Sequence, residues 1–515
     1  MDLVARAGQL VMAGFQGTTV PADFASLVRR DGLSGIILFS RNLHNPTQIR
    51  RLTAELQALS DDTLPLLIAT DQEGGIVARL TGIAGTPFPG NMALGASRSA
   101  ELTRAAALAT GHELLALGIN FNLAPVLDVN NNPQNPVIGV RSYGEDPHLV
   151  AELGAAAIRG YQDAGVLACG KHFPGHGDTA VDSHLALPTV PHGADRLDAV
   201  ELVPFRAAVA AGADAIMTAH VVFPAYEPDP GRPATLSQSV LTGLLREGLG
   251  FDGLIITDCM EMKAIANGFG TVAAAVEAIK AGADLVLVSH TPDVQAAAVS
   301  ALRRAIAAGE IPAARVEQAL ARVQQARQRV AQVTQPPLDV LASPEHLALA
   351  ARIAREAVTV VRDELHLLPF DPDGLGVVIC RPATMTQAEE ANAPAPALAE
   401  AVCRLVPGAE VLVVDRDPSP AQVATARGLA VRCRSMVVGT FSADRYAAQA
   451  GLVTAVLTAN PRTAIVAQRS PYDQRVLPGA ATYLVTYEDR PLVMEAAVRI
   501  LLGLQPATGR LPATI

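Results

Sequence analysis

Eight short apolar runs punctuate the first 330 or so residues, and polar or ionisable side chains gather where most of them end. The runs are Leu10–Phe15, Gly35–Phe39, Leu64–Thr70, Asn120–Leu127, Val166–Gly170, Ala213–Thr218, Gly253–Thr257 and Ala283–Val288. They are rich in Val, Ile and Leu and do not alternate with polar residues, the pattern of parallel strands buried on both faces. Helical stretches such as Ser99–Leu117 and Thr271–Ala281 fall between most of them. Eight such β/α units predict an α/β fold of the TIM (β/α)8 barrel type. The third run is followed by Asp71-Gln72-Glu73-Gly74-Gly75 and the fourth by Asp128-Val129-Asn130. Lys171-His172 follows the fifth, His220 the sixth, Asp258 the seventh and Ser289-His290 the eighth. Barrels carry their chemistry at these C-terminal strand ends; a doubly wound sheet would show the registry less regularly.

A polar helix over Arg315–Val333 is broken by Pro336-Pro337, which predicts a linker. The pattern then restarts with a helix at Pro344–Glu356. Apolar strands follow at Val358–Val361, Gly376–Cys380, Val411–Val414, Ser435–Gly439, Thr463–Val466 and Ala481–Thr486. The expected organisation is a barrel over 1–333, a linker over 334–343 and a three-layer α/β sandwich over 344–515. The total of 515 residues suits two domains.

Composition narrows the function. Half the residues are hydrophobic and 17% are charged, which is globular. A net charge of −10 without a Lys/Arg block argues against nucleic acid and anionic membranes as partners. No run approaches the roughly 18 apolar residues of a membrane span. The five cysteines are odd in number and lack CxxC spacing, which favours a reducing compartment. The N-terminus shows no signal-peptide pattern, so the cytoplasm is expected. A monomer is also expected. Trp is absent, which favours a short polar ligand over a long polysaccharide stacked on aromatic rings.

Residues 170–184, Gly-Lys-His-Phe-Pro-Gly-His-Gly-Asp-Thr-Ala-Val-Asp-Ser-His, are the densest chemical signal. They hold three histidines, two aspartates, a lysine and three glycines. Buried charges and imidazoles are costly unless paired, so this is an active-site loop rather than core. Asp182 stands two residues before His184 and can accept from its imidazole, fixing the tautomer and favouring the protonated form. Such a histidine can protonate a leaving oxygen and later deprotonate water. Asp258 suits a carboxylate nucleophile attacking an anomeric carbon. Its competing reading is an N-cap for a helix over Met260–Asn267. His172, His176, Asp178 and His184 raise a zinc site, but the spacing lacks both the HExxH pattern and a His-x-His pair, and no metal or cofactor is expected. Asp71 can accept from sugar hydroxyls. Arg79 and Arg141 can donate to a ligand or pair with carboxylates.

In this order the motifs resemble glycoside hydrolase family 3, over the whole chain. Asp71-Gln72-Glu73-Gly74-Gly75, Arg141-Ser142-Tyr143-Gly144 and Ile256-Thr257-Asp258 are family-wide in character. Lys171-His172-Phe173-Pro174-Gly175-His176-Gly177-Asp178-Thr179, followed by Asp182-Ser183-His184, is similar to the β-N-acetylglucosaminidase branch. The resemblance implies a retaining hydrolase releasing terminal β-linked N-acetylglucosamine from muropeptide fragments. It makes Asp258 the nucleophile and His184 the acid/base partnered by Asp182, with Asp71, Arg79, Arg141, Lys171 and His172 binding the sugar. Other branches take a Glu acid/base from the second domain; here the first-domain histidine makes that unnecessary, and Glu488 reads as structural. A histidine would not repel phosphate as a carboxylate would, so a phosphorylase is the alternative enzyme. The non-enzyme alternative is a sugar-binding barrel.

Overall fold

The computed structural model describes residues 2–60, 63–389 and 396–515. Eight parallel strands close a barrel: β1 (Val11–Ala13), β2 (Gly35–Ile37), β3 (Leu67–Thr70), β4 (Phe121–Asn122), β5 (Leu167–Phe173), β6 (Ala215–Thr218), β7 (Leu254–Cys259) and β8 (Leu285–Val288). Neighbours in sequence are neighbours in the barrel, and β8 closes on β1. Both strand faces are apolar because both are covered. Met12, Ile37, Leu67, Ala69, Phe121, Leu167, Cys169, Ile256 and Leu287 fill the interior. Val11, Ile36, Ile68, Ala168, Ile216 and Ile255 pack outward among the helices. Alternation of side chains across the strand therefore exchanges one apolar environment for another.

Three boundaries differ from the sequence expectation. The run 120–127 is a strand only at Phe121–Asn122. Pro125 has no N–H to give the ladder, and pairing resumes at Val126 against Lys171. The fifth strand runs on to Phe173 rather than ending at Gly170. Asp258 lies within β7, not after it, and the following helix shrinks to Lys263–Ala266 with no side-chain cap. Asp258 accepts instead from the backbone N–H of Cys259 at 2.6 Å, so the N-cap reading falls.

The second domain is a six-stranded sheet of β9 (Thr359–Asp363), β10 (Leu375–Cys380), β11 (Glu410–Val414), β12 (Ser435–Thr440), β13 (Thr463–Ala467) and β14 (Thr482–Val485). Its order is β9-β14-β13-β12-β10-β11, parallel except for β9. Val378, Met436, Val438, Ile465 and Tyr483 face one core. Val377, Ile379, Val437, Val466 and Leu484 face the other, and helices cover both, giving three layers. The helix Pro344–Ala357 is capped by Ser343, whose side chain accepts from His346 N. It ties the halves together: Ala350 and Ile353 pack with Leu94, Leu102 and Leu153 of the barrel domain, and Ala354 packs into the second domain. The C-terminal tail also returns to the barrel, where Glu145 N donates to Pro512 O at 3.0 Å. We retain 334–343 as the proposed linker; it lies between the helix ending at Val330 and the one starting at Pro344.

Candidate active site

A cavity of about 300 Å³ opens at the C-terminal ends of the barrel strands. Asp71, Arg79, Arg141, Lys171, His172, His184 and Asp258 all line it, so seven of the eight residues expected from the sequence meet in one place. The eighth, Asp182, stands behind His184.

One wall is an ion network. Lys171 Nζ lies 2.8 Å from Asp71 Oδ1 and 2.7 Å from Glu73 Oε1. Arg141 grips Glu73 with both ends of its fork, at 2.9 and 2.8 Å, and its third nitrogen donates to Val137 O. Arg79 reaches Asp71 Oδ2 at 3.4 Å and donates to the Ala388 carbonyl of the second domain at 2.9 Å. Gln387 and Ala388 thus bring the second domain to the cavity rim. Glu73 was not picked out as a site residue from the sequence, yet it joins both buried cations. Burial would raise its carboxyl, but Arg141 and Lys171 hold it well below the ordinary value. Burial also works against ionisation of Asp71, and Lys171 and Arg79 keep it low.

Glu73→Ala leaves Lys171 and Arg141 without their shared carboxylate in a water-poor setting. It should lower the unfolding free energy by about 3–5 kcal/mol at neutral pH, read by urea unfolding. Glu73 has a depressed folded pKa, so its contribution is full above its ordinary value of 4.5 and is lost as pH falls below it. The difference between wild type and variant should shrink from about pH 6 to about pH 3. A gap independent of pH would assign the loss to packing.

The opposite side holds the histidine loop. Asp128 is fully buried. It accepts from the backbone N–H groups of His172 and His176 at 3.2 and 2.6 Å, and its other oxygen meets His172 Nδ1 at 2.7 Å. One carboxylate thereby fixes the start of the loop and occupies Nδ1 of His172, a cavity-lining residue. His176 is held between Thr179 and Ser183 at 2.9 Å each, and burial pushes its pKa down to about 4. Asp178 pairs with His192 at 2.6 Å. The four side chains weighed as zinc ligands therefore take separate partners, and among the described residues no group of three or more His, Cys, Asp or Glu is arranged to hold a metal ion.

His184 Nδ1 donates to Asp182 Oδ1 at 2.7 Å, and the same oxygen accepts from His184 N at 2.8 Å. Burial opposes ionisation of Asp182, but these two bonds hold its carboxyl below the usual range. With Nδ1 occupied, Nε2 is the nitrogen that can carry a proton to a ligand. Burial likewise opposes ionisation of Asp258, but the imidazoles of His220, His172 and His184 bring its pKa down to about 2. It is a carboxylate throughout the neutral range. His220 donates from Nε2 to the carbonyl of Cys259 at 3.0 Å and meets Thr235 Oγ1 with Nδ1 at 2.8 Å, which steadies the strand end carrying Asp258. An ionised carboxylate and an oriented imidazole on one cavity are the parts of a nucleophile with an acid/base partner.

The family model for the N-terminal domain of glycosyl hydrolase family 3 matches residues 3–326. A β-hexosaminidase A of Pseudoalteromonas piscicida is 43% identical over 286 residues, 52% of this chain and 48% of the relative, so the match spans about half of that protein's length. A β-hexosaminidase of Alkalilimnicola ehrlichii is 39% identical over 288 residues, which are 55% of this chain and 81% of the relative. A solved glycoside hydrolase family 3 β-N-acetylglucosaminidase from a Paenibacillus species superposes on all of this chain and 99% of its own, with a TM-score of 0.92 and 43% identity. The barrel, the appended sandwich and the matched sequence agree: this chain is a glycoside hydrolase and belongs to glycosyl hydrolase family 3.

Proposed function

We propose that the chain is a retaining exo-β-N-acetylglucosaminidase acting through a covalent glycosyl-enzyme. The observation that carries this reading is the convergence of ionised Asp258 and the Asp182–His184 pair on a cavity walled by Asp71, Glu73, Lys171 and Arg141. In the first step a carboxylate oxygen of Asp258 attacks the anomeric carbon. The glycosidic C–O bond breaks, and the proton on His184 Nε2 passes to the departing oxygen. In the second step His184 takes a proton from water, whose oxygen attacks the same carbon and releases Asp258. Asp182 steadies the imidazolium that exists before the first step and forms again in the second. Asp71, Arg79, Arg141, Lys171 and His172 bind the hydroxyls and N-acetyl group. The relatives' names, β-hexosaminidase and β-N-acetylglucosaminidase, support the choice of sugar.

The natural substrates in this reading are cell-wall muropeptide fragments, from which the amino sugar is released during recycling by a monomer in the cytoplasm. The five cysteines are all unpaired, which suits a reducing compartment.

One property of the site favours a second outcome. With a histidine in place of a carboxylate acid/base, no fixed negative charge from that residue repels phosphate from the glycosyl-enzyme. Aryl β-N-acetylglucosaminide and aryl β-glucoside, each tested with and without phosphate, decide the matter. Rapid release from the first alone, indifferent to phosphate, is the expected result. Turnover that requires phosphate and yields N-acetylglucosamine 1-phosphate would make the enzyme a phosphorylase. Binding without turnover would return the sugar-binding barrel.

A further inference from the structure

Glu488 belongs to the second domain, just beyond β14, and takes no part in the chemistry above. It is 2% exposed. Its Oε2 accepts from the backbone N–H of Gly90 at 3.0 Å, while Oε1 is buried with no hydrogen-bond partner. Glu488 faces a small cavity that it shares with Glu73 and Arg141, the ion pair at the heart of the sugar wall. The barrel segments in front of it are two glycine crossings. Gly75 ends the Asp71–Gly75 turn with φ +58°, and a Cβ there would stand 2.7 Å from Gly90 Cα and 2.8 Å from Glu488 Oε2. A Cβ at Gly90 would likewise stand 3.2 Å from Gly75 Cα, so the two segments cross with no room for a side chain between them. Arg490, two residues on, donates to the Gly75 carbonyl at 3.4 Å. Next to Gly90, the Asn91 side chain donates to the backbone carbonyl of Arg141 at 2.7 Å.

These contacts form two short paths from the second domain to the sugar wall. One runs from Glu488 and Arg490 through Gly75 to Glu73 and its partner Lys171. The other runs from Glu488 through Gly90 and Asn91 to Arg141. We propose that Glu488 is a positioning residue, which holds the Asp71–Glu73 turn and Arg141 at the height where they meet the sugar. The proposal rests on the sugar-binding role given to that wall above. Burial raises the Glu488 carboxyl to about 7, against the Gly90 N–H and Arg490, with Asp489 adding to the rise. A glutamine is therefore a close mimic of its uncharged form, and its amide oxygen can take the same N–H.

A sugar wall that binds ground state and transition state alike affects KM more than kcat. Glu488→Ala should raise KM for aryl β-N-acetylglucosaminide about tenfold or more with kcat within about threefold, in line with the cost of small misplacements in a site. Glu488→Gln should restore KM to within about threefold of wild type. Backbone amide exchange should rise over 71–78 and 86–91 in Glu488→Ala and stay as in wild type over 171–185. Unchanged KM in folded Glu488→Ala would overturn the proposal, as would exchange that rises evenly over the barrel. If the alanine variant does not fold, Glu488→Asp, one methylene shorter, is expected to show the same split in milder form, and wild-type KM there would sink the idea. If the wild-type chain turns over no N-acetylglucosaminide, the functional reading fails, and the exchange pattern still decides the positioning role.

Discussion

Asp258→Ala will keep less than about a hundredth of the wild-type rate on every β-N-acetylglucosaminide, because a covalent nucleophile supplies several orders of magnitude of rate. The fold should survive. Among the described residues the Asp258 carboxylate accepts only from its neighbour's backbone N–H, so its loss orphans no buried cation, in contrast to loss of Glu73. Circular dichroism and thermal unfolding of the variant should match wild type. A small anion such as azide or formate, admitted to the space left by the carboxylate, should restore part of the turnover. The azide product should be the α-glycosyl azide, formed by a single inversion. A variant that retains more than a hundredth of the rate would remove Asp258 as nucleophile, and rescue with β product would remove the retaining mechanism.

His184→Ala will separate substrates by their leaving groups. A proton donor matters most where the departing oxygen is a poor leaving group, and such assistance is worth about 10²–10⁴-fold. For disaccharides and alkyl glycosides, kcat/KM should fall by that range. For aryl glycosides with acidic phenols it should fall far less, and a burst of phenol should appear as the second step, now without its base, becomes limiting. Equal loss on both kinds of substrate would make His184 a binding residue. Asp182→Asn tests the dyad more gently: the amide oxygen can still accept from Nδ1, but the imidazolium loses its counter-charge, so the poor-leaving-group substrates should again suffer most.

The barrel was legible because both faces of each strand are buried. Continuous Val, Ile and Leu runs mark such strands, and the polar residues closing most of the runs mark the chemical end. Boundaries were less legible where backbone details intervene. Pro125 cuts β4 short, and β5 and β7 carry polar side chains inside the strand rather than beyond it. A run of apolar letters stops at Gly170 or Thr257, while the ladder continues to Phe173 and Cys259. In the site, Asp182 and His184 could be paired from sequence because they are two residues apart. Glu73 and Asp128 could not be given roles in the same way. Glu73 meets Arg141 across 68 residues, and Asp128 meets His172 across 44. Spacing says nothing about which buried cation will face which carboxylate. Their positions at strand ends, in register with the other polar residues, were the only hint available.

The proposed reactive set, from Asp71 to Asp258, lies within one barrel, and the Asp182–His184 pair sits on a loop continuous with the strand that bears Lys171 and His172. The Alkalilimnicola relative, in which 288 matched residues make up 81% of the protein, has little length to spare for a sandwich like this one. Chemistry written within a single barrel can be inherited without its neighbour. On the roles proposed above, gain or loss of the appended domain would change the tuning of the sugar wall rather than the reaction itself.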